Sequence, residues 1–116
     1  MYKYFDESEF ACSETGRNEI KPELIHALDE LRERCGFPFV ITSGYRAPTH
    51  SAERDKPNGP GTHSQGIAAD IAVSNGFQRM NIVHEALKLG FPAIGVAKGF
   101  IHLDIRKTDT PVMWTY

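Results

Sequence analysis

Two short runs, "GIAADIAV" (residues 66–73) and "FIHLDIR" (residues 100–106), alternate their side chains with a period of two, and that alternation limits what the chain can become. In the first run Ile67, Ala69, Ile71 and Val73 share one face, and Gly66, Ala68, Asp70 and Ala72 share the other. In the second, Ile101, Leu103 and Ile105 oppose Phe100, His102, Asp104 and Arg106. Each run reads as a strand with one face for a core and one face carrying ionisable groups. Beside Asp70 that second face has nothing larger than alanine, which leaves room at the carboxylate for something other than a side chain.

The remaining pattern places helices around these strands. "KPELIHALDELRERCG" carries Pro22 in a first turn, Leu24, Leu28, Leu31 and Cys35 on one stripe, and Gly36 as a stop. Residues 38–43 read as a strand that ends at Ser43-Gly44, and "RAPTHSAERDKPNGPG" reads as a long irregular loop of the kind that serves function. A helix over about residues 76–89 follows a Ser74 or Asn75 cap, with Met80, Val83 and Leu87 expected inward and Gly90 at its end. "AIGVA" and "FIHLDIR" form a hairpin around "KG". The expected fold is α+β, a small mostly antiparallel sheet with helices packed on one side.

At 116 residues the chain has the size of one ordinary domain, and a single unit over residues 1–116 is expected. A net charge of -2 lacks the basic excess of a nucleic-acid footprint, so no nucleic-acid partner is expected. No apolar run approaches the roughly 20 residues that span a bilayer, and "MYKYFDESEF" has neither a basic start nor an apolar h-region. The expectation is a monomer made in the cytoplasm without a signal peptide or membrane insertion. Cys12 and Cys35 read as free thiols or an optional clip, in settings that do not suggest a nucleophilic thiol.

The polar faces suggest a metal site. His63, Asp70 and His102 would make an open His2Asp centre, which leaves a fourth position on zinc for water. A lone strand histidine is more often a structural residue, and spacing alone does not separate the two readings. His26 and His84 lie on helices without partner ligands nearby, and His50 in the long loop could line a cleft or face solvent.

"SGYRAPTH", "GTHSQGIAADI" and "GFIHLDIR" together resemble the zinc D-alanyl-D-alanine carboxypeptidase family of peptidoglycan peptidases, which shares a fold with the hedgehog signalling domain. The order matches as well: an S-G-[YF]-R turn, an S/T-H-x6-D segment and a terminal H-x-D strand. The nearest likeness is to the compact, single-domain branch among phage lysis proteins. It implies His63, Asp70 and His102 as zinc ligands and Arg46 as the arginine that binds and polarises substrate, a task suited to a planar fork of donors. It also implies peptidoglycan stem peptides as substrate, cut by an endolysin-like or D,D- or L,D-carboxypeptidase-like enzyme; the expected lack of a signal peptide fits a lysin that reaches the wall through a partner such as a holin, with a cytoplasmic role as the alternative.

One position departs from the pattern. Several branches carry an acid three residues before the last histidine as general base, and here that residue is Gly99. Asp104, on the same strand face as His102, is the candidate base, with orientation of a ligand histidine as its alternative. The rival to catalysis is a non-catalytic, zinc-stabilised binding module of the same fold, and a metal-dependent nuclease is disfavoured by the charge balance.

Overall fold

The computed structural model describes residues 2–116. After a short 3-10 turn at Glu7–Phe10, helix α1 (Pro22–Cys35) starts at a proline that has no N–H to leave unpaired, and ends where Gly36 turns left-handed at φ 77°. Leu24, Ile25, Leu28 and Leu31 form its buried stripe. Helix α2 (Gly76–Leu89) is capped by the Asn75 side chain, which accepts from the Gln78 amide at 2.9 Å, and it ends at Gly90.

Between and after the helices run β1 (Ile41–Ser43), β2 (Ala68–Ala72), β3 (Ala93–Val96), β4 (Phe100–Asp104) and β5 (Val112–Thr115). They form one sheet in the order β1-β2-β4-β3-β5, antiparallel throughout except for the parallel pair β3 and β5. Ala69, Ile71, Ile94, Ile101 and Leu103 face the helices and close the core. The fold is thus α+β with a mostly antiparallel sheet, as the alternation implies. Among the described residues no helix is long and apolar enough to cross a membrane.

Three expectations change. The strand expected over residues 38–43 shrinks to Ile41–Ser43; ahead of it the Val40 carbonyl still accepts from the Ala72 amide of β2 at 2.9 Å, but regular pairing begins at Ile41. Met80 and Leu87 are exposed, and α2 buries Ile82 and Ala86 instead, a face about a third of a turn round the helix. Val83, between the two faces, is partly buried and packs against the core as expected. The fifth strand, β5, has no counterpart in the sequence reading; the two strands of the expected hairpin, β3 and β4, join through Lys98 and Gly99 as anticipated.

Candidate metal centre

The sheet register sets one row of residues side by side across all five strands: Ser43, Asp70, His102, Gly95 and Trp114. Directly paired residues bring their side chains within about 5 Å of each other, so Asp70 and His102 meet as a consequence of register alone. Gly95 contributes no side chain, and the Trp114 indole occupies the gap. A Cβ on Gly95 would lie 2.6 Å from Trp114 Nε1, which is too close to exist. Trp114 therefore lies against the His102 ring, with centroids 5.0 Å apart. Gly95→Ala should push Trp114 off His102 and move the emission of the chain's single tryptophan to longer wavelength; unchanged emission would show that the contact is not what places the ring.

His63 enters from a tight turn over residues 62–66. Gly66 closes this turn at φ 75° with its Cα pressed against the Glu19 carbonyl, where a Cβ would come within 2.2 Å of the oxygen. Its carbonyl accepts from the Lys21 amide, which ties the turn to the start of α1. The small residues around Asp70 have their own neighbours: Gly66 lies against the Glu19 backbone, and Ala68 and Ala72 pair in register with Asp104 and Phe100.

The hydrogen bonds assign the ring nitrogens. His63 Nδ1–H donates to the Gly44 carbonyl at 2.8 Å, which leaves Nε2 facing Asp70 Oδ1 at 3.4 Å. His102 Nε2–H donates to Asp104 Oδ2 at 2.7 Å, which leaves Nδ1 facing the same Asp70 oxygen at 3.2 Å. A carbonyl and a carboxylate can only accept, so in the neutral rings three acceptor atoms converge on one point. Such a group needs a cation, either protons or a metal. Ligand atoms at about 2.0–2.1 Å from a tetrahedral zinc stand roughly 3.3 Å apart, and the two measured separations match that edge. All three ligand atoms lie within 4.8 Å of one another, and all three residues are buried. The residues therefore fit zinc.

When the rings are protonated, the same nitrogens donate to Asp70. Burial resists ionisation of Asp70, but hydrogen bonds from His102 and His63 outweigh it and bring the pKa down to about 2. Burial likewise opposes the His102 cation, yet its bonds to Asp104 and Asp70 raise its pKa above the ordinary value.

Asp104 lies behind His102 and is fully buried. Its Oδ1 accepts from the Arg106 amide and Nε, and its Oδ2 from His102 Nε2 and Arg106 Nη2. Burial alone would raise its pKa, but the Arg106 and His102 bonds hold the carboxyl far below its ordinary range. Both oxygens are committed to these donors, which is the setting of a carboxylate that orients a ligand histidine. The expected role as general base would require one of these oxygens to reach the attacking water, and each already accepts two hydrogen bonds.

Arg46 stands on the other side of Asp70. Its Nε donates to Ser43 Oγ at 3.0 Å and its Nη1 to Glu53 Oε2 at 3.0 Å, while Nη2 lies 3.7 Å from Asp70 Oδ2. Gly44 makes this turn workable, since its Cα packs on the Phe10 backbone, where a Cβ would meet the carbonyl oxygen at 2.6 Å. Glu53 is an acid of the long loop that the sequence does not single out from its neighbour Asp55. It is 1% exposed in a polar loop, and it also accepts from the Gly61 amide at 2.8 Å and from Lys56 Nζ at 3.1 Å. Burial works against its charge, but these donors outweigh it and lower the pKa to about 2.

The His63, Asp70 and His102 cluster opens into a cleft of about 470 Å³ whose walls include Arg46, Lys56, Gln65, Phe100, Trp114 and Tyr116. Asp70 is the sole carboxylate among the described residues lining it. Phe100 and Tyr116 meet as tilted rings with centroids 4.9 Å apart, and Arg106 lies over Trp114 at 5.3 Å. Alternation already puts Phe100 on the His102 face, and the "MWTY" segment, with two aromatics on alternate positions, carries the signal for the rest of this wall.

The other histidines stand apart. His50 lies beside Glu14, 3.4 Å away, outside the cleft lining; His26 packs on Tyr2, and His84 is exposed beside Glu85. Both cysteines are free. Burial would raise the Cys12 thiol, but hydrogen bonds from Thr15 and from backbone amides including Ala47 bring it down to about 7, a more acidic thiol than its sequence context suggests. At 2% exposure it is shielded from solvent reagents.

A family model described as Peptidase M15 matches residues 3–104, taking in Arg46, His63, Asp70, His102 and Asp104 and ending before Arg106, Trp114 and Tyr116. No curated protein matches the chain.

Proposed function

The chain belongs to the peptidase M15 family, a family of zinc metallopeptidases, and on that premise we propose that it hydrolyses peptide bonds in peptidoglycan stem peptides. The observation that supports this reading is the convergence of His63 Nε2, Asp70 and His102 Nδ1 on one point at the floor of an open cleft. A structural zinc is ordinarily closed by four protein ligands, whereas three ligands beside a cleft leave a position for chemistry.

His63, Asp70 and His102 would hold the metal. Zinc, when bound, supplies Lewis-acid polarisation of a carbonyl and a water of lowered pKa. The chain's own residues do the rest. Gly44 and Asp104 fix the two imidazoles in the tautomers that present a lone pair to the metal. Arg46, aimed by Ser43 and Glu53, binds the substrate's peptide or carboxylate oxygen and stabilises the negative charge that develops there. Trp114, Phe100 and Tyr116 cover one side of the cleft and exclude water from it.

A second reading is the non-catalytic zinc-stabilised module. The absence of any carboxylate other than Asp70 among the described cleft residues favours it. Incubating the zinc-loaded protein with purified peptidoglycan and analysing released peptides by mass decides between the two. New peptide ends are expected; intact peptidoglycan after retention of zinc would leave only the binding module. Arg46→Lys keeps the charge but loses the fork, and it should reduce turnover by about tenfold with zinc content unchanged. Wild-type rates in that variant would remove Arg46 from the substrate site.

A further inference from the structure

The cleft does not end at the metal centre. Beyond Thr62, Gln65 and Arg106, which line both spaces, it continues as a second groove of about 580 Å³ around the ends of β2 and β4. The floor of this groove is Ile67 and Ile105, which the alternation assigns to the core but which are only half-buried here. Their backbones are joined by a hydrogen bond from the Ile105 amide to the Ile67 carbonyl at 3.1 Å, so the floor is an extension of the sheet.

The charges on its rim are unequally committed. Arg106 is neutralised by Asp104, which it grips through Nε and Nη2. Lys21 and Lys107 stand on the rim without an ion pair among the described residues, and Glu23 is the one acid that lines the groove with them. An acidic protein of net charge -2 thus presents two uncommitted ammonium groups beside an apolar floor, in line with its metal cleft. Gln65 is exposed at the junction of the two spaces, where an amide can donate to and accept from a passing peptide bond.

Resting on the peptidase reading of the metal centre, we infer that this groove is a second substrate subsite for an acidic peptide unit. Lys21 and Lys107 receive its carboxylate, Ile67 and Ile105 its apolar part, and Gln65 the peptide bond that joins it to the residue at the metal. The enzyme is then selective for peptides that extend beyond the scissile bond and carry negative charge there. The carboxylate belongs either to a side chain or to the chain end, and the chemistry of recognition is the same for both.

Trp114, the single tryptophan, lines the metal cleft and stacks on Arg106, so its fluorescence reports occupancy. The full chain, as purified and again after chelation to prevent hydrolysis, is titrated with three synthetic stem peptides of one sequence: an acidic side chain with an amidated end, its neutral amide with an amidated end, and the neutral amide with a free end. One of the two carboxylate-bearing peptides should bind about fivefold more tightly than the fully amidated one, and the preference should shrink at about 0.5 M salt. A preference for the first defines an internal acidic residue; a preference for the second defines the chain end. In Lys21→Gln/Lys107→Gln the preference should fall to about one, and Lys21→Glu/Lys107→Glu should reverse it. Equal affinities in the wild type, or a preference that survives both double variants, overturns the subsite and leaves the peptidase reading intact. Failure of all three peptides to bind overturns the substrate class and the subsite together.

Discussion

Asp104→Asn should lower zinc affinity by about ten- to a hundred-fold and lower hydrolysis at limiting zinc in proportion. The substitution keeps the shape of the side chain but gives it a donor where His102 Nε2–H and Arg106 both need an acceptor. If the new amide turns its NH2 to His102, the ring must move its proton to Nδ1, the atom that faces Asp70 and that would bind the metal. Excess zinc should then restore much of the rate. Zinc affinity by chelator competition and the rate at saturating zinc, measured on one preparation, separate the two roles considered for this residue. Affinity retained with the rate lost by two to four orders of magnitude would return Asp104 to the role of general base. The pH dependence follows from the same bonds. His102 has a raised pKa, and its protonated ring has no lone pair for a metal, so zinc affinity falls as pH decreases through that raised value.

What could be read from residues alone follows from the physics of each element. A strand's period of two is local, so "GIAADIAV" and "FIHLDIR" declare which side chains share a face, and Asp70 with His102 emerges from two alternations brought into register. Alternation says nothing about direction along that face. Asp104 was correctly placed beside His102, but its turn toward Arg106 depends on the backbone after β4, where the Arg106 amide bends back to the carboxylate. On α2 the stripe of Met80, Val83 and Leu87 holds only for Val83, which packs against the core; Met80 and Leu87 are exposed, and Ile82 and Ala86, about a third of a turn away, are the buried pair. Trp114 was hidden because β5 is a four-residue edge strand whose parallel partner, β3, lies across the β4 hairpin in sequence. Its place in the site depends on the absent side chain of Gly95, a tertiary fact. Glu53 carries no periodic signal at all: an acid among prolines and glycines reads as solvated until Arg46, Lys56 and the Gly61 amide are seen to surround it.

Glu53→Gln should destabilise the protein by about 3 kcal/mol near neutral pH and reduce the substrate affinity of the metal cleft through Arg46. Removing one partner of a buried charge pair leaves the other uncompensated, and here one carboxylate is shared by two cations. The magnitude belongs at the lower end of the range for buried pairs because Arg46 and Lys56 keep some contact with water and can be partly re-solvated. The sign of the pH dependence follows from the depressed pKa of about 2 against an ordinary 4.5. A carboxyl held below its unfolded value contributes its full stability above pH 4.5 and loses it as pH falls toward 2. Asp70 and Asp104 titrate low as well, so wild-type acid unfolding alone does not isolate Glu53. The difference between wild type and Glu53→Gln does. Denaturant midpoints measured between pH 7 and pH 2 should show the two proteins far apart at neutral pH and converging below pH 4.5. A gap that stays constant across this range would mean that the charge of Glu53 contributes nothing and that its side chain merely fills the loop. Zinc content should be the same in both proteins, since Glu53 touches Arg46 and none of the three ligands; KM should rise with the loss of the anchor that aims the guanidinium.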